Sequence, residues 1–202
     1  QRFSSLTNVL AIRFRGVDPD RWLSRLLPWC GWIFSSASAL TGGLVILSAL
    51  LLWLTHFTEF AHRWPEEVAQ WTVTDLWSLA VVLAGVKVLH ELGHGLACKR
   101  FGGEVHELGV MLLVFTPCLY CNVSDAWLLP SRWRRIVISA AGMWVEAVLA
   151  SVAAWLWWMS EPGWFHGLCL QVVFICGLST LVFNLNPLLR YDGYFILSDL
   201  WD

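Results

Sequence analysis

Val88-Leu89-His90-Glu91-Leu92-Gly93-His94-Gly95-Leu96 places two imidazoles and a carboxylate inside an apolar run, where ionisable side chains are costly. The run extends from about residue 73 to residue 98, where Lys99-Arg100 closes it. That exceeds the roughly 20 residues a helix needs to cross a bilayer. On such a helix His90 and His94 stand one turn apart on a single face, close enough to share a metal ion. At about 1.5 Å per residue, His90 lies roughly 13 Å inside the Lys99 end, near the middle of a hydrocarbon core about 30 Å thick. A charged group there costs about 2.5–3.5 kcal/mol on insertion scales unless it faces protein, water or a metal. Lys87, His90, Glu91 and His94 all share this stretch, and metal ligation accounts for three of them. The competing reading is a pair of core histidines bonded to neighbouring carbonyls.

The spacing His-Glu-x-x-His carries a specific chemistry: two histidines hold Zn²⁺ and the glutamate takes the proton of the water on the metal, as in zinc metalloproteases. Composition agrees with a membrane setting. Of 202 residues 57% are hydrophobic and 15 are Trp, with a mean hydropathy of +0.61. The net charge of -2 says nothing about partners, and the lack of a basic stripe excludes nucleic acid. The chain starts at Gln1 and stops directly after a motif, so a fragment of a longer protein is expected, with fused or associated soluble domains beyond it. The first long apolar run begins only near Leu26, which does not fit a cleavable signal peptide.

Residues 1–31 carry Arg2, Arg13, Arg15, Arg21 and Arg25 among apolar residues and read as an interfacial segment on the cytoplasmic side. Asp18-Pro19-Asp20 supplies an N-cap, a proline at the first helical position and an acidic first turn. A short surface helix is therefore expected over 21–27, stopped by Pro28. Residues 32–202 read as the transmembrane zinc metalloprotease core, with spans near 33–56, 73–98, 136–159 and 167–185. His56 to Gln70 reads as a polar connection. Thr72-x-x-Asp75 is a capping box for the second span, and Gly102-Gly103 is available as its C-cap. Glu104 to Thr116 is rich in Val, Leu and Phe, so a strand or hairpin is expected over Leu108 to Phe115, ended by Thr116-Pro117. The predicted fold is an all-α polytopic membrane protein of about four transmembrane helices, with a small strand or hairpin insert near the site.

Lys and Arg predict the orientation. Besides the five arginines of the N-terminal region, Lys99, Arg100, Arg132, Arg134 and Arg135 flank the second connection and Arg190 follows the fourth span; the other two connections hold only Arg63. Both termini and the active site are then expected on the cytoplasmic side, in a bacterial inner membrane. The Trp residues at 71, 133, 155, 157, 158 and 164 fall where interfacial anchors belong. The six cysteines read as small buried hydrophobes. Cys118-x-x-Cys121 has redox or metal spacing, but no second pair accompanies it and it reads as lining of the site's mouth.

Catalytic zinc needs a third protein ligand and an open position for water. Asp192 is the candidate, because Pro187 and two asparagines break the fourth helix early and return the chain to the depth of the histidines. Asp125, Glu107 and His106 are the alternatives. At this point the chain resembles the site-two protease family of intramembrane zinc metalloproteases, in a bacterial subgroup. The resemblance rests on His90-Glu91-Leu92-Gly93-His94 and on Asn184, Pro187, Asp192 and Gly193 of the pattern Asn-x-x-Pro-x-x-x-x-Asp-Gly, and covers roughly 71–195. It implies that His90, His94 and Asp192 are zinc ligands, Glu91 the catalytic base, and Asn184 a polar group for the substrate carbonyl or oxyanion. It also implies a transmembrane protein or peptide substrate, cut in or near its membrane segment. The family's usual Pro and Asn are replaced by Met143 and Glu146, and Glu146 reads either as a polar partner for the site or as a protonated group bonded to a neighbouring helix. A transmembrane substrate must unwind to expose a carbonyl, and Leu108 to Phe115 is expected to receive it as an added strand. Two rivals remain: a non-catalytic relative that binds or exports a peptide, against which Glu91 argues, and a di-iron oxygenase, which needs more histidines than the four isolated ones at 56, 62, 106 and 166.

Overall fold

The computed structural model describes residues 11–113, 116–188 and 191–201. Arg2 and Arg190, counted for orientation, and residues 114–115 of the expected strand lie outside them. Among the described residues four helices are long and apolar enough to cross a membrane: Ser36–Thr55 (α2), Val73–Arg100 (α4), Arg132–Met159 (α5), and Trp164–Asn184, made of α6 (Trp164–Leu178) and a π-helical turn (Ser179–Asn184). Their outward faces are apolar. Leu40, Leu54 and Val81 are 66%, 65% and 72% exposed, a distribution that suits lipid rather than water.

The ends of α4 follow from local chemistry. Asp75 Oδ2 accepts the Thr72 backbone N–H at 2.8 Å and the Thr72 hydroxyl at 2.6 Å, which closes the N-terminus. At the other end Gly103 N–H reaches Cys98 O at 3.0 Å and Gly102 N–H reaches Lys99 O at 3.1 Å, a Schellman cap. It requires the left-handed φ of 91° at Gly102, where other residues are strained.

Outside the spans, helix α1 covers Asp20–Cys30 and α3 covers Phe57–Ala69. α1 runs through Pro28, which sits in its last turn, where one lost backbone bond is cheap. Leu23 drives α1 into a core of Ala97, Cys98, Val105, Ala126 and Ile138. Asp20 ties it down: Oδ1 accepts Lys99 Nζ at 2.8 Å and Val105 N–H at 3.0 Å. The Lys99 ammonium holds the Asp20 carboxyl below the usual carboxylate range.

α3 occupies the stretch expected as a polar connection. Its charged residues hid an amphipathic helix: Phe60 is buried against Trp157 and Trp158, and Glu67 accepts the Trp157 indole N–H at 2.9 Å. Trp157, expected at the interface, is 1% exposed and is therefore a core residue. Its polar edge is satisfied inside the protein, so it needs no headgroup water.

The insert is a three-stranded antiparallel sheet in the order β1 (Ala11–Val17), β2 (Leu108–Leu113), β3 (Thr116–Cys121). Thr116-Pro117 opens β3 instead of ending the element. Pro117 pairs with Leu112, and the missing N–H is tolerated because β3 is an edge strand. β1 comes from the N-terminal region, where interleaved arginines masked its strand character. Since β2 is paired on both sides, Leu108 to Leu113 has no edge to offer a substrate, which corrects the expectation of strand addition there. The sheet's edges are β1 and β3.

After the π turn the chain loops back and α7 begins at Asp192, covering Asp192–Trp201. A Cβ at Gly193 would lie 2.6 Å from Asn184 O, so only glycine lets α7 start against the π turn. Buried Asp199 accepts the Arg135 guanidinium at 2.6 Å, which anchors α7 to α5.

Candidate metal centre

His90 and His94 are buried on the face of α4 that packs on α5. The approach is close because the facing residues are small: a Cβ at Gly93 would stand 3.1 Å from Ala141 O. Into this seam the loop after the π turn brings Asp192. His90 Nε2 and His94 Nε2 are 3.0 Å apart, and Asp192 Oδ2 lies 3.1 Å from the first and 3.4 Å from the second. Among the described residues these three form the one group of His, Cys, Asp or Glu side chains able to hold a metal together, with ligand atoms within 4.8 Å of one another.

The arrangement fits a divalent metal on three observations. Donors about 2.0–2.1 Å from a tetrahedral ion are about 3.3–3.4 Å apart, close to the separations found. Asp192 Oδ2 is buried with no hydrogen-bond partner, so the atom aimed between the imidazoles lacks other employment. Gly142 on α5 leaves the space in front of the rings clear: a Cβ there would sit 2.5 Å from His90 Nε2 and closer still to His94 Nε2. The far side of each ring is also held. His94 Nδ1 lies 2.7 Å from Ile138 O, a contact that makes Nδ1 the donor and turns the Nε2 lone pair inward. His90 Nδ1 lies 2.9 Å from Glu146 Oε1, near in distance though out of line for a hydrogen bond.

Glu91 stands outside the trio. It is half-buried, with its carboxylate on the side of the backbone of Cys121 on β3, so the edge strand lies next to it. Asn184 is buried beside the group, its Nδ2 making long contacts of 3.4 Å to Glu146 Oε2 and Ser179 Oγ.

The alternative ligands are engaged elsewhere. Asp125 accepts the Glu104 backbone N–H at 3.1 Å, Glu107 accepts the Tyr120 hydroxyl at 2.5 Å, and exposed His106 pairs with Glu104 at 2.9 Å and Asp18 at 3.5 Å. His56 packs on Trp158, His62 is exposed and His166 pairs with Glu67, so a histidine-rich di-iron site is not assembled from the described residues. Burial pushes the Cys118 thiol up and the Cys121 thiol up to about 12, the reverse of a reactive thiolate pair. Sequence reasoning left the roles of Lys87 and Glu146 open and overlooked Gly142. Glycine inside a spanning run carries no signal of what it faces.

A buried His₂Asp donor set inside a helical membrane bundle, with a carboxylate on the adjacent residue, defines a class: integral membrane proteins built around a peptidase-type metal site. Residues 78–167 match the profile of peptidase family M50. The chain is also similar to "Putative peptide zinc metalloprotease protein YydH" of Bacillus subtilis (strain 168), 30% identical over 124 residues, which is 60% of this chain and 47% of that protein. Over residues 78–167 the chain is thus similar to peptidase family M50, the family of the site-two proteases. It spans about half the length of the curated relative it matches. No solved structure matches it. The family match covers α5 and all but the first residues of α4 and stops short of Asn184 and Asp192, so Asp192 joins the histidines on geometry alone.

Proposed function

We propose that this chain is an intramembrane zinc metalloprotease, hydrolysing a peptide bond in or near a transmembrane segment of a membrane protein. The observation that carries the reading is the convergence of Asp192 on His90 and His94 across about a hundred residues of chain, with Glu91 alongside. His90 Nε2, His94 Nε2 and the Asp192 carboxylate would hold the zinc, which would supply Lewis acidity to water and to a carbonyl there. Glu91 takes the proton of the attacking water and returns it to the leaving amine. Asn184, whose long amide contacts exchange readily, supports the substrate carbonyl. The unwound substrate adds to the edge strand β3, on the side of Glu91, where its exposed backbone groups find partners.

Metal analysis of the purified chain tests the centre. One zinc per chain is expected. Asp192→Asn should weaken its retention while Glu107→Gln and Asp125→Asn leave it unchanged. Normal zinc in Asp192→Asn, with loss in either of the others, would sink the ligand set.

On this reading the sheet, both ends of the chain and the mouth of the site face the cytoplasm at a bacterial inner membrane, a topology that the bias of Lys and Arg supports. Single cysteines in a Cys-free background should then label from the cytoplasm within 104–130, and from outside at positions 67 and 161. Outside labelling of 104–130 would invert the topology.

A further inference from the structure

Glu146 is fully buried in the middle of α5, one turn beyond Gly142, at a depth where a carboxylate needs a reason to be. It faces the ring of His90 on the side away from Asp192. Oε1 lies 2.9 Å from His90 Nδ1 and accepts Lys87 Nζ at 2.8 Å and Ser179 Oγ at 3.2 Å. Oε2 accepts Thr180 Oγ1 at 2.6 Å and Asn184 Nδ2 at 3.4 Å. Lys87 also donates to Ser179 Oγ. Three of these partners, Ser179, Thr180 and Asn184, belong to the π turn, so the widened helix that redirects the chain toward Asp192 also supplies donors to Glu146.

We propose that Glu146 is a positioning residue of the metal centre, its carboxylate set 2.9 Å from His90 Nδ1 to favour a proton on that nitrogen and leave Nε2 for the metal, and that Lys87 is the cation that lets a carboxylate occupy this place. The physical case rests on the two imidazoles having unlike partners. A backbone carbonyl holds His94, which orients the ring without adding charge. A carboxylate beside His90 orients the ring and also strengthens Nε2 as a donor. Left alone inside the membrane that carboxylate would be expensive. Lys87, three residues before His90 on α4, neutralises it across the α4–α5 seam, and the hydroxyls occupy its remaining lone pairs. Lys87 thus acts through Glu146, and Glu146 through His90.

The inference rests on the metal centre proposed above and is tested on the full chain in detergent, loaded with zinc or cobalt. Glu146→Gln should weaken zinc binding about 10- to 100-fold, measured by chelator competition, and change the visible bands of the cobalt-loaded protein. Because Glu146→Gln leaves Lys87 unpaired and can fail to fold, Lys87→Gln/Glu146→Gln provides the second arm. With no orphaned charge it should recover the wild-type unfolding temperature while keeping the weakened zinc affinity and altered cobalt spectrum. Wild-type affinity and spectrum in the folded double variant would overturn the positioning role and leave the pair as packing. Absence of zinc from the wild type would instead bring down the metal centre, and this inference with it.

Discussion

Glu91→Gln should yield a protein that folds, retains zinc and binds a transmembrane substrate but no longer cuts it. Glu91 is next to His90 in sequence yet about 100° around the helix, and it is absent from the three-residue ligand group. Its half-buried carboxylate lies beside the edge strand β3 near Cys121, where the proposed substrate would add. Gln preserves size and hydrogen bonding but takes no proton at neutral pH, so the loss should be about 10²- to 10⁴-fold or greater, the range for removal of a general base. The measurement is cleavage of a co-expressed panel of membrane substrates, alongside zinc content. Uncut substrate should co-purify with the variant. Equal processing by wild type and Glu91→Gln would mean that hydrolysis is not the work of this site, and the non-catalytic peptide-binding reading would take over.

Gly142→Ala should empty the metal centre while sparing the fold. The added methyl would enter the space both Nε2 atoms face, 2.5 Å from that of His90 and 2.6 Å from its Cε1. Either the rings turn away or α5 shifts outward, and each separates the donors. Zinc affinity should fall by at least the roughly 10- to 100-fold seen when a supporting partner is removed, and cleavage should fall with it. Helix propensity works in the opposite direction, since Ala in a helix interior is favoured over Gly by about 0.8–1.0 kcal/mol. Compared metal-free in detergent, wild type and Gly142→Ala should unfold at similar temperatures, the propensity gain offsetting the cost of moving the rings. Normal zinc retention by Gly142→Ala would show that the seam opens without harm, and that the close approach of α5 is not part of the site.

How much was legible varies element by element. The four spans were readable because hydrophobic length is a property of consecutive residues, and the caps at Thr72 and Gly102 because capping is decided within one turn. α3 was missed where its polar residues outnumber the few, such as Phe60, that face the core. β1 was missed because a strand of alternating Arg and apolar residues gains its partner, β2, only from about a hundred residues away. Trp157 was misassigned because a tryptophan near the end of a span looks the same whether its indole meets headgroups or Glu67.

The sequence by itself determined that this is a membrane protein, which runs are long and apolar enough to cross, and that His90, Glu91 and His94 share one of those helices. Each of these depends on neighbours within a turn or on the length of an apolar run. Only the tertiary structure decided that Asp192 meets the histidines, that Gly142 keeps the space before them clear, and that Glu146 with Lys87 stands behind His90. Those contacts join α4, α5 and the segment after α6. Their distances depend on how tightly helices with small facing residues pack and on where a π turn redirects the chain, and neither is set by any local run of residues.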